Sequence, residues 1–171
     1  MKVVNIHHRD YAVPADQIGE LIDSLASEQD RLWPTEKWPP MRFDKSLQVG
    51  ARGGHGPIRY FVSKYVPARS IRFTFTAPRG FNGFHALETR SLSPDTTRLT
   101  HRLEMRTSRW AVFSWSFIFR PLHDALIEDA FTKAERSLSL PETQACWSPW
   151  VRWLRRRLAK RRTTTQARAT G

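Results

Sequence analysis

Residues 109–138 read RWAVFSWSFIFRPLHDALIEDAFTKAERSL, a long apolar stretch that follows directly on a run of alternating, strand-like sequence. Beyond Pro121, Leu122, Leu126, Ile127, Ala130, Phe131 and Ala134 recur at helical spacing, with Asp124, Glu128, Asp129 and Glu135 mostly elsewhere. The first ten residues obey two patterns. Trp110, Phe113 and Phe117 fit one helix face, whereas Ala111, Phe113, Trp115, Phe117 and Phe119 fit strict alternation. The reading adopted is a helix from about Arg109, kinked near Pro121, where proline removes a backbone hydrogen bond. A long helix after a meander of strands predicts a curved sheet closed by one C-terminal helix.

Working outward, Lys2 to Val13 reads as a first strand that Pro14 ends, and Ile18, Leu21, Ile22 and Leu25 then form one amphipathic helix face. A second short helical turn is expected around Glu28 to Leu32. It stops at LWPTEKWPP (32–40), whose Pro34, Pro39 and Pro40 exclude a continuous helix. From Met41 the period becomes two: a short strand within Met41 to Val49, a turn from Gly50 to Pro57, then Ile58 to Val66, Ser70 to Thr76, Phe84 to Leu92 and Arg98 to Thr107. In the first of the long strands Ile58, Tyr60 and Val62 share one face, and Phe61, Ser63 and Tyr65 the other. Short connections imply antiparallel neighbours. The expected class is α+β, a curved antiparallel sheet of six to seven strands around a long C-terminal helix, with two short helices after the first strand.

The 171 residues suit one domain, residues 1–140, followed by a tail, residues 141–171. The formal charge of +12 is uneven: residues 147–171 hold eight Lys or Arg and no acid, leaving 20 basic against 16 acidic residues before them. The basic signal therefore belongs to the tail. MKVVNIHHRD lacks the apolar core of a secretory signal, no apolar run is long enough to span a bilayer, and Cys146 stands alone. These features predict a cytoplasmic protein, with peripheral contact at a membrane as the one exception considered.

Three strings carry a family resemblance: GGHGPIRYFVSKYVPARSIRFTFTAPRGFNGFH (53–85), TRLTHRLEM (97–105) and RPLHDALIEDAFTKAE (120–135). With the order of elements, they resemble the helix-grip fold of the START-like or SRPBCC superfamily, and in particular bacterial members of the polyketide cyclase/dehydrase type. The resemblance implies a cavity between sheet and helix that takes a hydrophobic small molecule or lipid, and in some members cyclase or dehydrase chemistry. Candidate ligand-binding residues are Tyr60, Ile71, Phe73, Phe75, His85, Leu99, His101, Leu103, Met105, Phe117, His123 and Leu126, with Leu122 beside them. The same residues would equally close a solid core.

His101 sits among Leu99, Leu103 and Met105, and His123 shares a helical face with Phe119, Leu126 and Ile127. They are the candidates for proton transfer or for orienting a ligand carbonyl or phenol. Their alternative is structural, with Glu104, Asp124 and Glu128 as hydrogen-bond partners. His7 and His8 are adjacent on a strand and point to opposite faces. Without HExxH or paired-cysteine spacing no metal is expected, and no other cofactor. GARGGHGP (50–57) lacks the Gly-Lys-Ser/Thr ending of a phosphate loop and reads as a turn or cavity rim, with Phe81 and Phe84 on the same rim.

The tail contains WSPWVRWLRRRLAKRR (147–162). Trp147, Trp150, Trp153, Arg155, Arg156 and Arg157 are the residues expected to meet an anionic membrane surface, tryptophan among headgroups and arginine on the lipid charge. A helix packed on the domain and a solubilising tail are the alternatives, and nucleic acid is the least favoured partner.

Overall fold

The computed structural model describes residues 1–158; the remainder of the basic tail lies outside the described residues. Seven strands form one antiparallel sheet: β1 (Lys2–Tyr11), β2 (Arg42–Phe43), β3 (Arg52–His55), β4 (Ile58–Val66), β5 (Ser70–Ala77), β6 (Phe81–Ser93) and β7 (Thr96–Thr107). Their order, β1-β7-β6-β5-β4-β3-β2, is a meander to which the first strand adds at the far edge. One short helix, α1 (Ala15–Asp23), follows β1 and buries Ile18, Leu21 and Ile22. The second short helix expected around Glu28 to Leu32 is absent. There Ala26 adopts φ 61°, and the Asp30 carboxylate accepts from the amides of Ala26, Leu32 and Trp33, so side-chain bonds close turns in place of a helical ladder.

The segment expected to turn between Gly50 and Pro57 contains β3. A Cβ on Gly53 would lie 2.0 Å from the Arg42 carbonyl oxygen, so glycine there lets β2 pair closely. A register shift between Val62 and Lys64 returns Tyr65 to the inner face, against the expected alternation, and its hydroxyl donates to Asp23.

The ambiguous residues 110–119 are helical. The long helix runs as α2 (Ala111–Ser114), a π-helical turn (Trp115–Phe119) and α3 (Arg120–Ser137). It begins just after Arg109, whose φ is 54°. Pro121 lacks the N–H that would reach the carbonyl of Phe117 four residues back, and that carbonyl accepts instead from the Trp150 indole at 2.7 Å. The wide turn thus accommodates the proline without breaking the helix.

Two apolar clusters form the core. The larger gathers α1, the loop 24–41, the middle strands and Leu126, Ile127, Phe131 and Ala134 of α3; the smaller holds Val3, Phe81, Leu103, Met105, Ala111 and Trp115. The described part of the tail packs on this body: residues 149–158 are helical, with Val151 and Leu154 buried. Asp129 holds the pieces together. Its side chain is fully buried and accepts from Lys37 Nζ, Trp38 Nε1 and Trp147 Nε1, each at 2.8 Å, tying loop and tail to one carboxylate on α3.

Replacing Asp129 with Ala leaves one ammonium and two indole donors without their acceptor. The D129A chain should lose about 3 kcal/mol of unfolding free energy in urea titrations, and limited proteolysis should cut earliest in residues 24–41 and 141–158.

Candidate functional site

Five of the six histidines lie in one line of ring contacts that crosses the core between sheet and helix. Ring centroids run from His7 to His123 at 6.0 Å, His123 to His101 at 4.9 Å, His101 to His85 at 5.5 Å, His85 to Tyr60 at 4.9 Å and Tyr60 to His55 at 5.7 Å. Strand register sets this order. His7 lies opposite His101 across β1 and β7, His101 lies opposite Leu87, and His85 is therefore its diagonal neighbour on β6.

The outer end of the line is charged. His7 donates Nδ1 to Glu128 at 2.9 Å and Nε2 to Asp124 at 3.1 Å, while Arg9 reaches Glu128 at 2.7 Å and Asn5 donates to Asp124 at 2.9 Å. Burial opposes a charge on His7, but the two carboxylates outweigh it and raise its pKa to about 9. Burial also works against Asp124, yet its bonds from His123 and His7 hold it below the usual carboxylate range. Ligand atoms of His7, His123 and Asp124 lie within 4.8 Å of one another, a set able to hold a metal ion. With both its nitrogens on carboxylates, His7 would have to give up a proton to bind a metal there.

The inner end is neutral. Burial pushes His101 and His85 well below the usual histidine range, His55 down to about 3, and His123 down against the pull of Asp124. His101 Nε2 and His85 Nδ1 are 3.3 Å apart, so one ring donates and the other accepts. The far nitrogens, His101 Nδ1 and His85 Nε2, are buried without a hydrogen-bond partner among the described residues, as is His123 Nε2. In either tautomeric arrangement one of the two far nitrogens is a donor and the other an acceptor. The pair presents a matched donor and acceptor to the interior.

His85 and His101 line an internal cavity together with Leu25, Leu32, Trp33, Met41, Phe73, Leu87, Ile127, Ala130 and Phe131. Its volume is about 20 Å³, close to the room needed by one water molecule. An open space for a large guest, expected from the resemblance, is filled here by side chains. Leu25, Leu32, Trp33 and Met41 close it from the loop 24–41. A larger surface groove, about 440 Å³, runs past Lys64, Arg69, Glu88 and Arg90, none of them in the histidine line.

Of the residues expected at the site, the structure brings Phe73, His85 and His101 to the cavity and sets Tyr60 and His123 against them in the ring line. Ile71, Leu99 and Leu126 are buried in the larger cluster, Leu103 and Met105 in the smaller, and Phe75 packs against both. Phe117 is displaced from the expected wall: it is 63% exposed, and Trp115, two residues earlier, is the buried aromatic of this turn. Phe84 leaves the expected rim for the outer face, where the Arg72 guanidinium lies 4.2 Å from its ring centre. Glu104 pairs with Arg102 and not with a histidine. In the tail, Trp147 turns inward to Asp129, and Arg155 stacks over Trp38 and Trp147 at 4.5 and 4.2 Å; neither is presented outward as expected. Trp150, Trp153, Arg156 and Arg157 remain exposed.

Sequence reading missed His7 and His55. The signal for His7 was present as the polar row Asn5, His7 and Arg9, matched by Asp124, Glu128 and Glu135 on the helix, but it acquires meaning only once β1 is known to lie under that helix. His55 was hidden in glycines. Its Nδ1 bonds the Tyr60 hydroxyl at 3.0 Å.

No family model matches the chain, and no match was found among the curated proteins. Among solved structures it is similar to norcoclaurine synthase from Thalictrum flavum with a transition-state analogue, at TM-score 0.63 and 14% identity over 81% of this chain and 96% of that one. A second structure of that enzyme, with dopamine and hydroxybenzaldehyde, gives TM-score 0.60 at 14% identity, covering 84% and 90%. An aromatase/cyclase from Streptomyces sp. R1128 gives 0.57 at 14%, covering 81% and 96%, and an HSP90 activator from Plasmodium falciparum gives 0.60 at 13%, covering 82% and 99%. The fold is the helix grip. Enzymes and a chaperone activator share it, so activity has to be argued from the site. No helix among the described residues is long and apolar enough to cross a membrane.

The histidine line divides stability against pH into two limbs. The charged His7 stabilises the fold fully below 6.5, and this is lost as pH rises through about 9. The neutral histidines act oppositely: below 6.5 the unfolded chain takes up protons that the folded core refuses, so stability falls with pH, down to about 3 for His55. Chemical denaturation across pH should show both limbs, with His7→Gln flattening the alkaline one and His101→Leu reducing the acid one.

Proposed function

We propose that this chain binds a small aromatic molecule bearing a hydroxyl or carbonyl group, received at its polar end by His85 and His101. One observation carries the reading: the two imidazoles bond each other and leave one donor and one acceptor buried without partners among the described residues. Leaving such a group unmade costs about 1–3 kcal/mol, and a phenolic hydroxyl or a carbonyl oxygen satisfies whichever of the two it reaches. Phe73, which lines the cavity with its ring 4.8 Å from His85, supplies flat apolar surface for the ligand body. Support from the comparisons is that one similar structure holds dopamine and hydroxybenzaldehyde.

Small-molecule sites typically enclose ~300–1,000 Å³, so a ligand of this kind enters only if a wall moves. The loop 24–41 is that wall. It contributes Leu32, Trp33 and Met41 to the cavity and is held by a few polar anchors, Asp129 and Lys133 among them, whereas the other walls are sheet and helix.

A second reading rests on His123. Its Nδ1 lies 3.4 Å from Asp124, which orients the ring and leaves Nε2 as an acceptor facing the interior. An acceptor so placed can take a proton from a bound substrate, the step a cyclase or dehydrase needs.

Organic extracts of the purified full chain should contain a copurifying aromatic compound by mass spectrometry. Titration with hydroxybenzaldehyde and simple phenols should shift the imidazole NMR signals of His85 and His101, with affinity reduced at least about tenfold in His101→Leu, as expected for one lost buried hydrogen bond. A chain that yields no extractable compound, and whose imidazole signals stay unchanged by every probe, has a closed core and not a binding site. Any cyclase turnover that survives replacing both His101 and His123 would exclude the catalytic reading.

A further inference from the structure

The start of the long helix carries its largest aromatic side chains on the outside. Trp110, Phe113 and Phe117 are 82%, 59% and 63% exposed, spaced three and four residues apart on one side, while Ala111 and Trp115 face the core. Ile118 adds a fourth apolar group. The helix at 149–158 shows the same inversion: Val151 and Leu154 are buried, and Trp150 and Trp153 stack at 4.7 Å with 44% and 45% of their surface exposed. The bond from the Trp150 indole to the Phe117 carbonyl joins these two stripes into one surface. Contiguous apolar area of this kind is rare on a monomer unless something covers it.

Charge indicates what covers it. Residues 105–123 and 147–171 contain no Asp or Glu, while Arg109, Arg120, Arg152, Arg156 and Arg157 are exposed within those segments. Arg157 lies 5.2 Å from the Trp153 ring centre, so the cations border the aromatics directly. A second copy of the chain seated on this surface would set arginine against arginine. An anionic lipid surface meets both demands, taking tryptophan and phenylalanine at headgroup depth and arginine on its charge.

We infer that the aromatic face formed by Trp110, Phe113, Phe117, Trp150 and Trp153, bordered by arginines, docks on an anionic phospholipid bilayer. This surface lies outside the histidine line and holds whether or not a ligand binds there. It differs from a simple basic tail, because most of its apolar contact comes from the long helix.

The test is cosedimentation of the full chain with vesicles of phosphatidylcholine alone and of phosphatidylcholine with phosphatidylglycerol at 3:1. Binding is expected to the anionic vesicles with a blue shift of tryptophan emission, to weaken at least tenfold in 0.5 M NaCl, and to weaken at least tenfold in the W110S/F113S/F117S chain. The three residues are exposed, and thermal unfolding of that variant verifies that the fold is kept. A second variant, R156E/R157E, should lose anionic binding while leaving the aromatic residues in place. The inference is overturned if neither vesicle binds, if the triple variant binds as well as the parent, or if the three substitutions abolish self-association or binding of single-stranded DNA in place of vesicle binding.

Discussion

Four carboxylates on the packed sides of the long helix, Asp124, Glu128, Asp129 and Glu135, constrain almost everything around them. A buried or half-buried carboxylate is stable only with donors in place. Asn5, His7 and Arg9 supply them from β1, which is why that strand turns its polar residues inward and leaves Val4 and Ile6 exposed. Lys37 and Trp38 supply them from the loop, and Trp147 from the tail. Glu135 takes Arg9 at 3.2 Å and the amide of Thr143 at 2.6 Å. The edge strand, the loop that closes the cavity and the described tail are therefore seated by the same helix face.

Beneath this charged layer the imidazoles fall into a second regime. His7 borders two carboxylates and is held protonated; His101, a strand away and nearer the middle of the sheet, has no carboxylate neighbour and is held neutral by burial. One residue type thus serves as a fixed cation at the rim and as a paired donor and acceptor in the interior. The resulting polar seam lies where the two apolar clusters meet. The small cavity lies against it, lined by His85 and His101.

Pro121 links interior and surface. The Phe117 carbonyl that Pro121 leaves free is the acceptor that fixes Trp150. Ala111 and Trp115, four residues apart, face inward, while Phe113 and Phe117, also four apart, lie outside. Trp115 lies 5.9 Å from the His123 ring, so this stretch of helix meets the ring line on one side and the surroundings on the other.

The element order, the long strands and the helix beyond Pro121 were legible in the sequence, because side-chain period is a local property that the chain expresses wherever its neighbours lie. So was the inward placing of His101, from Leu99, Leu103 and Met105 alternating around it on β7. Local periodicity could not decide which face of β1 is covered, since Val4 and Ile6 look like core and Asn5, His7 and Arg9 do not; only the helix acids above the strand reverse that reading. Nor could it separate helix from strand at 110–119, or anticipate the π-helical turn at Trp115–Phe119. Partners more than 100 residues apart, such as His7 with Asp124 and Glu128, meet through strand register and helix placement. Periodicity carries no information about such pairings, so the charged end of the ring line and the joining of the two exposed aromatic stripes belong to the tertiary structure alone.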